Sequence, residues 1–411
     1  MNKSIRKNFM FIFNIFILIG IVPFMGKLKK YGFDSIIVLH NICFYFMGYI
    51  LIIKFLIDLI KGTWNYKYSK CMILFFLLIT IQSIFTSNSV LDSILKIVTL
   101  FITYLYSLEL IRQYSFKDII KLLVYSNSFI LLITILFIII EPNQAFEGYK
   151  SARVLSGTFP NKNNFATYTL FSVITGMCVI RINTTNRFIK GVFILNLIVS
   201  IIFLFMSGSM TSIITLFSVI LIYFLNSKLK NRINIVNIGL GINAFIYIVI
   251  NLQSRFEGVL VKFLGRDLTL TGRTYIWESI FDNFTTKMLW GYGYGTFWGY
   301  NPELENKIIA GYTNKIGGVV VHGSHNGFIE LMLQIGLIGT IMFIFIIILS
   351  GRYLCNINDD LIQRFCSYYY IYILIYFITE RSLWNMNYQT LILFIVIEIT
   401  LNYKQLIIKK V

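Results

Sequence analysis

Apolar residues in this chain come in long unbroken runs, not in the alternation of a half-buried strand or the single stripe of a surface helix. A bilayer core about 30 Å thick takes about 20 mostly apolar residues per helix. Runs of that kind recur at 9–26, 33–60, 71–87, 90–111, 118–140, 163–181, 188–206, 209–226, 232–250, 325–350, 363–380 and 386–402. Lipid offers the backbone no hydrogen-bond partners, so each run is expected to be a helix that satisfies its own N–H and C=O groups. The pattern predicts an all-α integral membrane protein with about twelve transmembrane helices. Residues 1–250 carry nine of them with a short loop at 141–163, 251–324 form one large loop, and 325–411 carry the last three and a tail. The first run follows Lys3, Arg6 and Lys7 as a secretory signal would. Pro23, Phe24, Met25 and Lys27 stand behind it in place of a small-residue cleavage site, so it is expected to stay as the first helix.

Composition agrees with the pattern: 57% of residues are hydrophobic and 13% charged, where soluble domains carry about a quarter charged. A net charge of +18 would suit a nucleic-acid partner. The basic residues are instead scattered through the short connections, which is how membrane proteins encode topology, and no nucleic acid is expected. With the N-terminus in the cytoplasm, Lys61, Lys67 and Lys70, then Arg112, Lys117 and Lys121, then Arg181, Arg187 and Lys190, then Lys228, Lys230 and Arg232 fall inside, as do Lys404, Lys409 and Lys410. Only Lys27, Lys29 and Lys30 object. Both termini are therefore expected in the cytoplasm, and the segments 141–163 and 251–324 outside it.

The larger loop is rich in Gly, Trp, Tyr and Phe, so it should fold over the membrane surface and not behave as a tether. Charges within the runs are sparse: Asp92 and Lys96 are expected to pair or to snorkel, and Glu380 and Arg381 to form a local pair. The five cysteines, Cys43, Cys71, Cys178, Cys355 and Cys366, show no paired spacing, so neither a disulfide nor a metal cluster is expected.

Three placements in the outer segments carry possible chemistry. Thr271-Gly272-Arg273-Thr274-Tyr275-Ile276-Trp277-Glu278 reads as an N-cap and an amphipathic helix, with Tyr275, Ile276, Ile280 and Phe281 able to rest on the membrane. Its first turn would present free N–H groups beside the Arg273 guanidinium, a combination suited to phosphate; the same spacing also fits an arginine snorkelling to lipid headgroups. Val321-His322-Gly323-Ser324-His325-Asn326-Gly327 stands at the head of the next run. Ser324 as cap would put His325 in the first helical turn, where the helix dipole favours the neutral imidazole a general base needs. An interfacial histidine with capping contacts fits equally well on position alone, and with no Cys or further His beside the pair a zinc site is not expected. Arg153 to Asn164 enters the sixth run from outside, with Arg153 and Lys162 able to draw an anion; alone, it reads as a turn and a helix start. Gly291-Tyr292-Gly293-Tyr294-Gly295 has the look of a phosphate loop but lacks a preceding strand and a following Lys-Ser/Thr, so it is read as a turn on which aromatics pack.

Taken together, these segments resemble the O-antigen polymerase and ligase superfamily. The resemblance rests on Arg153-x-x-x-Gly157-x-Phe159-x-x-x-Asn163, Gly272-Arg273-x-x-x-Trp277, Gly291-x-Gly-x-Gly, and His325-Asn326-Gly327-Phe328-Ile329-Glu330-Leu331 leading into Gly336-Leu337-Ile338-Gly339. It covers about the second half of the chain; the first five helices agree in topology only. The resemblance implies a GT-C type glycosyltransferase of the bacterial inner or plasma membrane. Its donor would be an undecaprenyl-diphosphate-linked glycan, added to the terminal sugar of a lipid-linked repeat as in O-antigen or capsule synthesis, with a flippase and a chain-length regulator as partners. It carries the catalytic roles to Arg153, Arg273 and His325. Met210, in Ser207-Gly208-Ser209-Met210, stands where relatives often hold an arginine, so Arg255 or Arg266 is expected to supply that contact.

That chemistry is physically coherent. The leaving diphosphate is a stable anion, so cationic donors where its charge develops suffice and no metal or other cofactor is required. His325 would take or orient the acceptor proton, worth about 10² to 10⁴ in rate. Substrate contacts are expected from His322, Asn326, Lys162, Asn164 and Trp277, with Tyr294, Trp298 and Tyr300 as sugar-stacking surfaces or as plain loop packing. A ligase acting on another acceptor fits the same residues. A flippase of lipid-linked glycan is the reading from another class; it calls for ionisable groups near midplane in both halves, a pattern this chain lacks.

Overall fold

The computed structural model describes residues 3–22, 26–64, 68–148, 153–182, 186–228, 273–284, 287–316, 323–379 and 387–408. The run at 232–250, most of the large loop, and with them Arg255, Arg266, Thr271, Gly272, His322, Glu380 and Arg381 lie outside the described residues.

Eleven of the twelve expected runs are helices: α1 (Lys3–Ile21), α2 (Asp34–Ile60), α3 (Lys70–Thr86), α4 (Val90–Gln113), α5 (Phe116–Ile140), α7 (Lys162–Val179), α8 (Arg187–Met206), α9 (Met210–Lys228), α12 (Gly327–Leu354), α13 (Asp360–Thr379) and α14 (Tyr388–Ile408). The connections add a single turn, α6 (Pro142–Ala145), a two-residue antiparallel ladder of β1 (Phe146–Glu147) with β2 (Val154–Leu155), and two helices of the large loop, α10 (Arg273–Asn283) and α11 (Pro302–Ile316). Among the described residues, five helices, α2, α4, α5, α8 and α12, are long and apolar enough to cross a membrane. α7 and α13 belong to the interior: α7 buries Thr167, Thr169, Ser172 and Thr175, and α13 buries Tyr368, Tyr369, Tyr370, Tyr372 and Tyr376.

Buried hydroxyls and amides call for partners, and several find them across helices. Asn127 of α5 donates to Thr175 Oγ1 at 3.0 Å and accepts from the hydroxyls of Tyr168 at 2.9 Å and Tyr388 at 3.1 Å, tying α5, α7 and α14 together. Ser212 of α9 meets the Tyr376 hydroxyl of α13. By contrast α2, α5 and α8 show rows of exposed Ile, Leu and Phe, the surface a helix presents to lipid.

The bundle has two ends. At one, Arg181, just past the end of α7, approaches Asp360 of α13 at 3.9 Å, and Tyr403 accepts from the Asp359 backbone N–H at 3.1 Å. The other, the loop end, gathers the α1–α2 and α3–α4 connections, the segment 141–163 and the described part of the large loop. There Lys27 Nζ donates to Gln144 O at 2.8 Å and to the Ser156 hydroxyl, and pairs with Glu147 Oε1 at 3.5 Å, while Asn88 Nδ2 reaches Asn301 Oδ1 at 2.7 Å.

α10 turns its apolar stripe to protein. Ile276 and Ile280, expected to face lipid, are buried in a second core with Trp277, Phe284, Tyr292, Phe297, Ile308 and the α12 residues Ile329 and Leu333, with Tyr275 and Phe281 packed at its edge. The apolar stripe is as expected, but its partner is protein. α11 supplies one wall, where Ser279 Oγ donates to Ile308 O at 2.9 Å.

A candidate glycan-transfer site at the loop end

α12 is two helices in sequence. At Gly336 the backbone turns to φ 63 and ψ −176, a conformation that frees carbonyls on one side and N–H groups on the other. The glycine-rich turn satisfies both sets. Tyr292 N–H donates to Leu333 O at 2.9 Å and Gly293 N–H to Gln334 O at 3.0 Å, while Leu337 N–H and Ile338 N–H donate to Met288 O at 2.9 Å and Leu289 O at 3.3 Å. The two chains cross so closely that a Cβ on Gly336 would sit 2.3 Å from Leu289 O, and one on Gly291 2.5 Å from Gln334 O. Leu337–Leu354 is then about 27 Å long, close to the bilayer core. The segment 327–335, with Glu330 and Gln334, bridges the two cores, Ile329 and Leu333 packing with the loop and Leu331 and Ile335 with the bundle.

The turn is docked on the α3–α4 corner. Ser83 Oγ accepts from Tyr294 N–H at 3.0 Å, Ser93 Oγ donates to Tyr294 O at 2.8 Å, and Lys96 Nζ donates to Gly295 O at 2.6 Å with its charge 4.9 Å from the centre of the Tyr300 ring. Asp92 accepts from Ser89 Oγ at 2.7 Å. Asp92 and Lys96, expected to pair or to snorkel, do interact electrostatically, and each also serves the corner and the loop.

The head of α12 is built on Glu330. Its side chain is 1% exposed. Oε2 accepts from Ser324 Oγ at 2.7 Å, Ser324 N–H at 3.1 Å and Trp298 Nε1 at 3.2 Å; Oε1 accepts from Trp298 Nε1 at 3.0 Å and Gln334 Nε2 at 2.9 Å. Hydrogen bonds to a charged partner contribute about 1.5–3 kcal/mol each, enough together to offset the several kcal/mol that burying a carboxylate costs. The Gln334 amide passes the network on, its Oε1 accepting from Gly295 N–H at 2.9 Å. Ser324 is also held at its carbonyl, which accepts from Trp277 Nε1 of α10 at 2.8 Å.

The helix cap differs from expectation. Asn326, not Ser324, caps α12: its Oδ1 accepts from Phe328 N–H and Ile329 N–H, both at 3.0 Å, while the Ser324 hydroxyl is committed to Glu330 and Asn326 O. His325 consequently stands one residue before the cap, outside the first turn, at φ 49, a left-handed conformation that L-residues seldom take. The helix-dipole contribution assigned to it from sequence does not follow from this position.

Among the other candidate residues, Arg273 is the first residue of α10, partly exposed and one turn before Trp277 on the same helix face. The α10 helix that carries Arg273 and the turn that carries His325 are thus fastened to each other through Trp277 and Ser324. Trp277 is 3% exposed and Tyr294 1% exposed. Both are packing residues here, with no ring face open for a sugar, and burial raises the Tyr294 hydroxyl pKa. Trp298 and Tyr300 keep part of their surface exposed.

Arg153 and Asn164 are exposed and Lys162 half-buried. They sit on a second patch of the loop end, where Asn161 Oδ1 caps α7 by accepting from Asn164 N–H at 2.9 Å, and Lys162 N–H donates to Glu147 Oε2 at 3.2 Å. Val154 next to Arg153 packs on the α8–α9 turn, 2.9 Å from where a Cβ of Gly208 would stand, and Met210 two residues on is 60% exposed. This patch connects to the first through the interior. The Ser212–Tyr376 pair joins α9 to α13, and Phe377 of α13 packs at a tilt against Phe328 of α12, 4.7 Å between ring centres. Glu330, Gln334, Lys27 and Gly336 were given no role from sequence. An acidic residue four before a glutamine at the head of an apolar run was the available signal for the first two.

The O-antigen ligase family model matches residues 195–344, from within α8 to within α12, and so takes in both the loop domain and the α8–α9 turn. Among curated proteins, the exopolysaccharide production protein ExoQ of Rhizobium meliloti (strain 1021) is 32% identical over 84 residues, 20% of this chain and 19% of that protein. The match therefore spans about a fifth of the relative's length. Over these stretches the chain is similar to the O-antigen ligase family and to an exopolysaccharide production protein, and both matches support the O-antigen polymerase and ligase superfamily.

Proposed function

We propose that the protein is a polysaccharide polymerase that extends a lipid-linked glycan at the extracytoplasmic surface of the membrane. The acceptor sugar hydroxyl attacks the anomeric carbon of an undecaprenyl-diphosphate-linked glycan. The new glycosidic C–O bond forms as the bond to the diphosphate breaks, and a single displacement inverts that carbon. His325 takes the hydroxyl proton, and the guanidinium group of Arg273 meets the charge developing on the leaving diphosphate, while Arg153, on the second patch of the same end, draws the anionic substrate to this face. The observation that carries this reading is the double anchoring of Ser324 by Trp277 and Glu330, which fixes the α10 helix of Arg273 against the turn of His325. A ligase differs only in its acceptor, and the matched family model, described as an O-antigen ligase, keeps that second reading open.

Purified protein given lipid-linked repeat units should lengthen them, in the presence of a chelator as well as without it. His325→Ala and Arg273→Ala should leave the protein in the membrane and reduce chain growth by about 10² or more, with single lipid-linked repeats accumulating in cells. Wild-type polymer in His325→Ala cells would remove His325 as the base. Transfer to a different acceptor, with no chain growth, would select the ligase.

A further inference from the structure

We infer that Glu330 is a positioning residue for the transfer reaction, holding the His325 turn and the Trp298 ring in one arrangement; the inference rests on the reading of His325 as the base. Two features mark Glu330 as more than a packing residue. The first is its reach. One buried carboxylate accepts from Ser324 immediately before His325, from Trp298 beyond the glycine-rich turn, and from Gln334, whose own amide oxygen accepts from Gly295 N–H. It thus joins the three stretches that converge on the head of α12. The second is what it restrains. Ser324 is gripped at its N–H and hydroxyl by Glu330 and at its carbonyl by Trp277, and the next residue, His325, sits at φ 49. A β-carbon disfavours that backbone conformation, so it persists only where the surroundings over-determine it, and such positions cluster at functional sites.

Glu330 cannot reach substrate itself. Its two oxygens are occupied by five hydrogen bonds and its side chain is 1% exposed. Its effect has to pass through the groups it orients, so it should govern the rate of the bound complex more than the affinity for the lipid-linked chain. Misplacing a catalytic group by about 1 Å costs on the order of 10²-fold in rate.

The test uses the full-length protein in detergent, with lipid-linked repeats extracted from cells that lack this protein as substrate. In Glu330→Gln the amide NH2 would face donors where an acceptor stood, so kcat should fall about 10- to 100-fold with KM within about twofold. In the exchange Glu330→Gln with Gln334→Glu, the new amide donates to the new carboxylate, and Gly295 N–H keeps an acceptor. That variant should recover a substantial part of the lost kcat, and it serves as the measurement if the single variant does not purify in monodisperse form. Wild-type kcat in Glu330→Gln alongside an inactive His325→Ala overturns this inference and leaves the base assignment standing. So does a rise in KM with kcat unchanged, or an exchange variant that is monodisperse yet recovers nothing. Full activity in His325→Ala overturns the assignment on which the inference rests.

Discussion

Lys27, one of the three lysines that object to the expected orientation, has a structural reason to stand where it does. Positive residues normally stay on the cytoplasmic side of the membrane, yet Lys27 stands at the loop end, with its charge shared among Gln144 O, the Ser156 hydroxyl and Glu147. Burial lowers its pKa and Glu147 opposes the shift, which marks an ammonium drawn partly out of water and held there by its partners. Its backbone N–H also donates to Thr158 O at 3.1 Å, so the α1–α2 connection is stitched to the segment beside Arg153. Lys27→Met would keep the aliphatic stem and strip the donors, leaving the Gln144 carbonyl to find water. The expected cost is about 1–3 kcal/mol, read as a thermal midpoint several degrees lower for purified protein in detergent. Glu147→Gln should cost less, since that carboxylate is a third exposed and an exposed pair contributes little. A larger loss in Glu147→Gln than in Lys27→Met would show that the carboxylate, not the ammonium, organises the corner.

At the scale of elements, the break in α12 decides which part of the helix belongs to the membrane and which to the site. Gly336→Ala would place a methyl 2.3 Å from Leu289 O at φ 63, so either the glycine-rich turn moves away or the helix straightens. Both outcomes take Gly295 N–H from the Gln334 amide and loosen the head of α12. Gly291→Ala strikes the same crossing from the other side, 2.5 Å from Gln334 O. Each variant should insert normally, melt lower by an amount worth about 1–3 kcal/mol, and lose most transfer activity. Because they disrupt a single contact, the double variant should be little worse than either one; additive losses would mean that the two glycines act separately. Sequence could not reveal this crossing, since a glycine in an apolar run reads the same whether it packs a helix, as Gly176 does against Leu197, or breaks one. The helices themselves were legible because lipid leaves the backbone no alternative. α10 was legible as an amphipathic helix, but Ile276 and Ile280 repeat identically whether lipid or protein covers them. Ser324 and Asn326 are both good caps two residues apart, and only the claim of Glu330 on the serine hydroxyl decides between them.

For the whole molecule, the reaction proposed here requires the loop end to face away from the cytoplasm, and charge distribution supplies the physical reason to expect it. The opposite end bears Lys61, Lys70, Arg112, Lys117, Lys121, Arg181, Arg187 and Lys190 on short connections, the pattern that retains a segment in the cytoplasm. Three cations of the loop end, Lys27, Lys96 and Lys287, are of a different kind, each engaged by a backbone carbonyl of the loops it fastens, while Lys29, Lys30 and Arg153 there are exposed. Topology should therefore follow the first set. Single cysteines introduced at the exposed positions Asn161 and Glu303 should react with a membrane-impermeant maleimide in intact cells, and those at Lys117 and Asp359 only after permeabilisation. Native cysteines form the background, and the two in the core, Cys178 and Cys366, are fully buried. A carrier that alternates its access would change the labelling of core positions when lipid-linked glycan is added, whereas a transferase with a fixed site at one end leaves the pattern alone. Labelling of Glu303→Cys only from the cytoplasmic side would place the Arg273 helix and the His325 turn where no exported glycan reaches them, and the proposed transfer could not then occur at this end of the bundle.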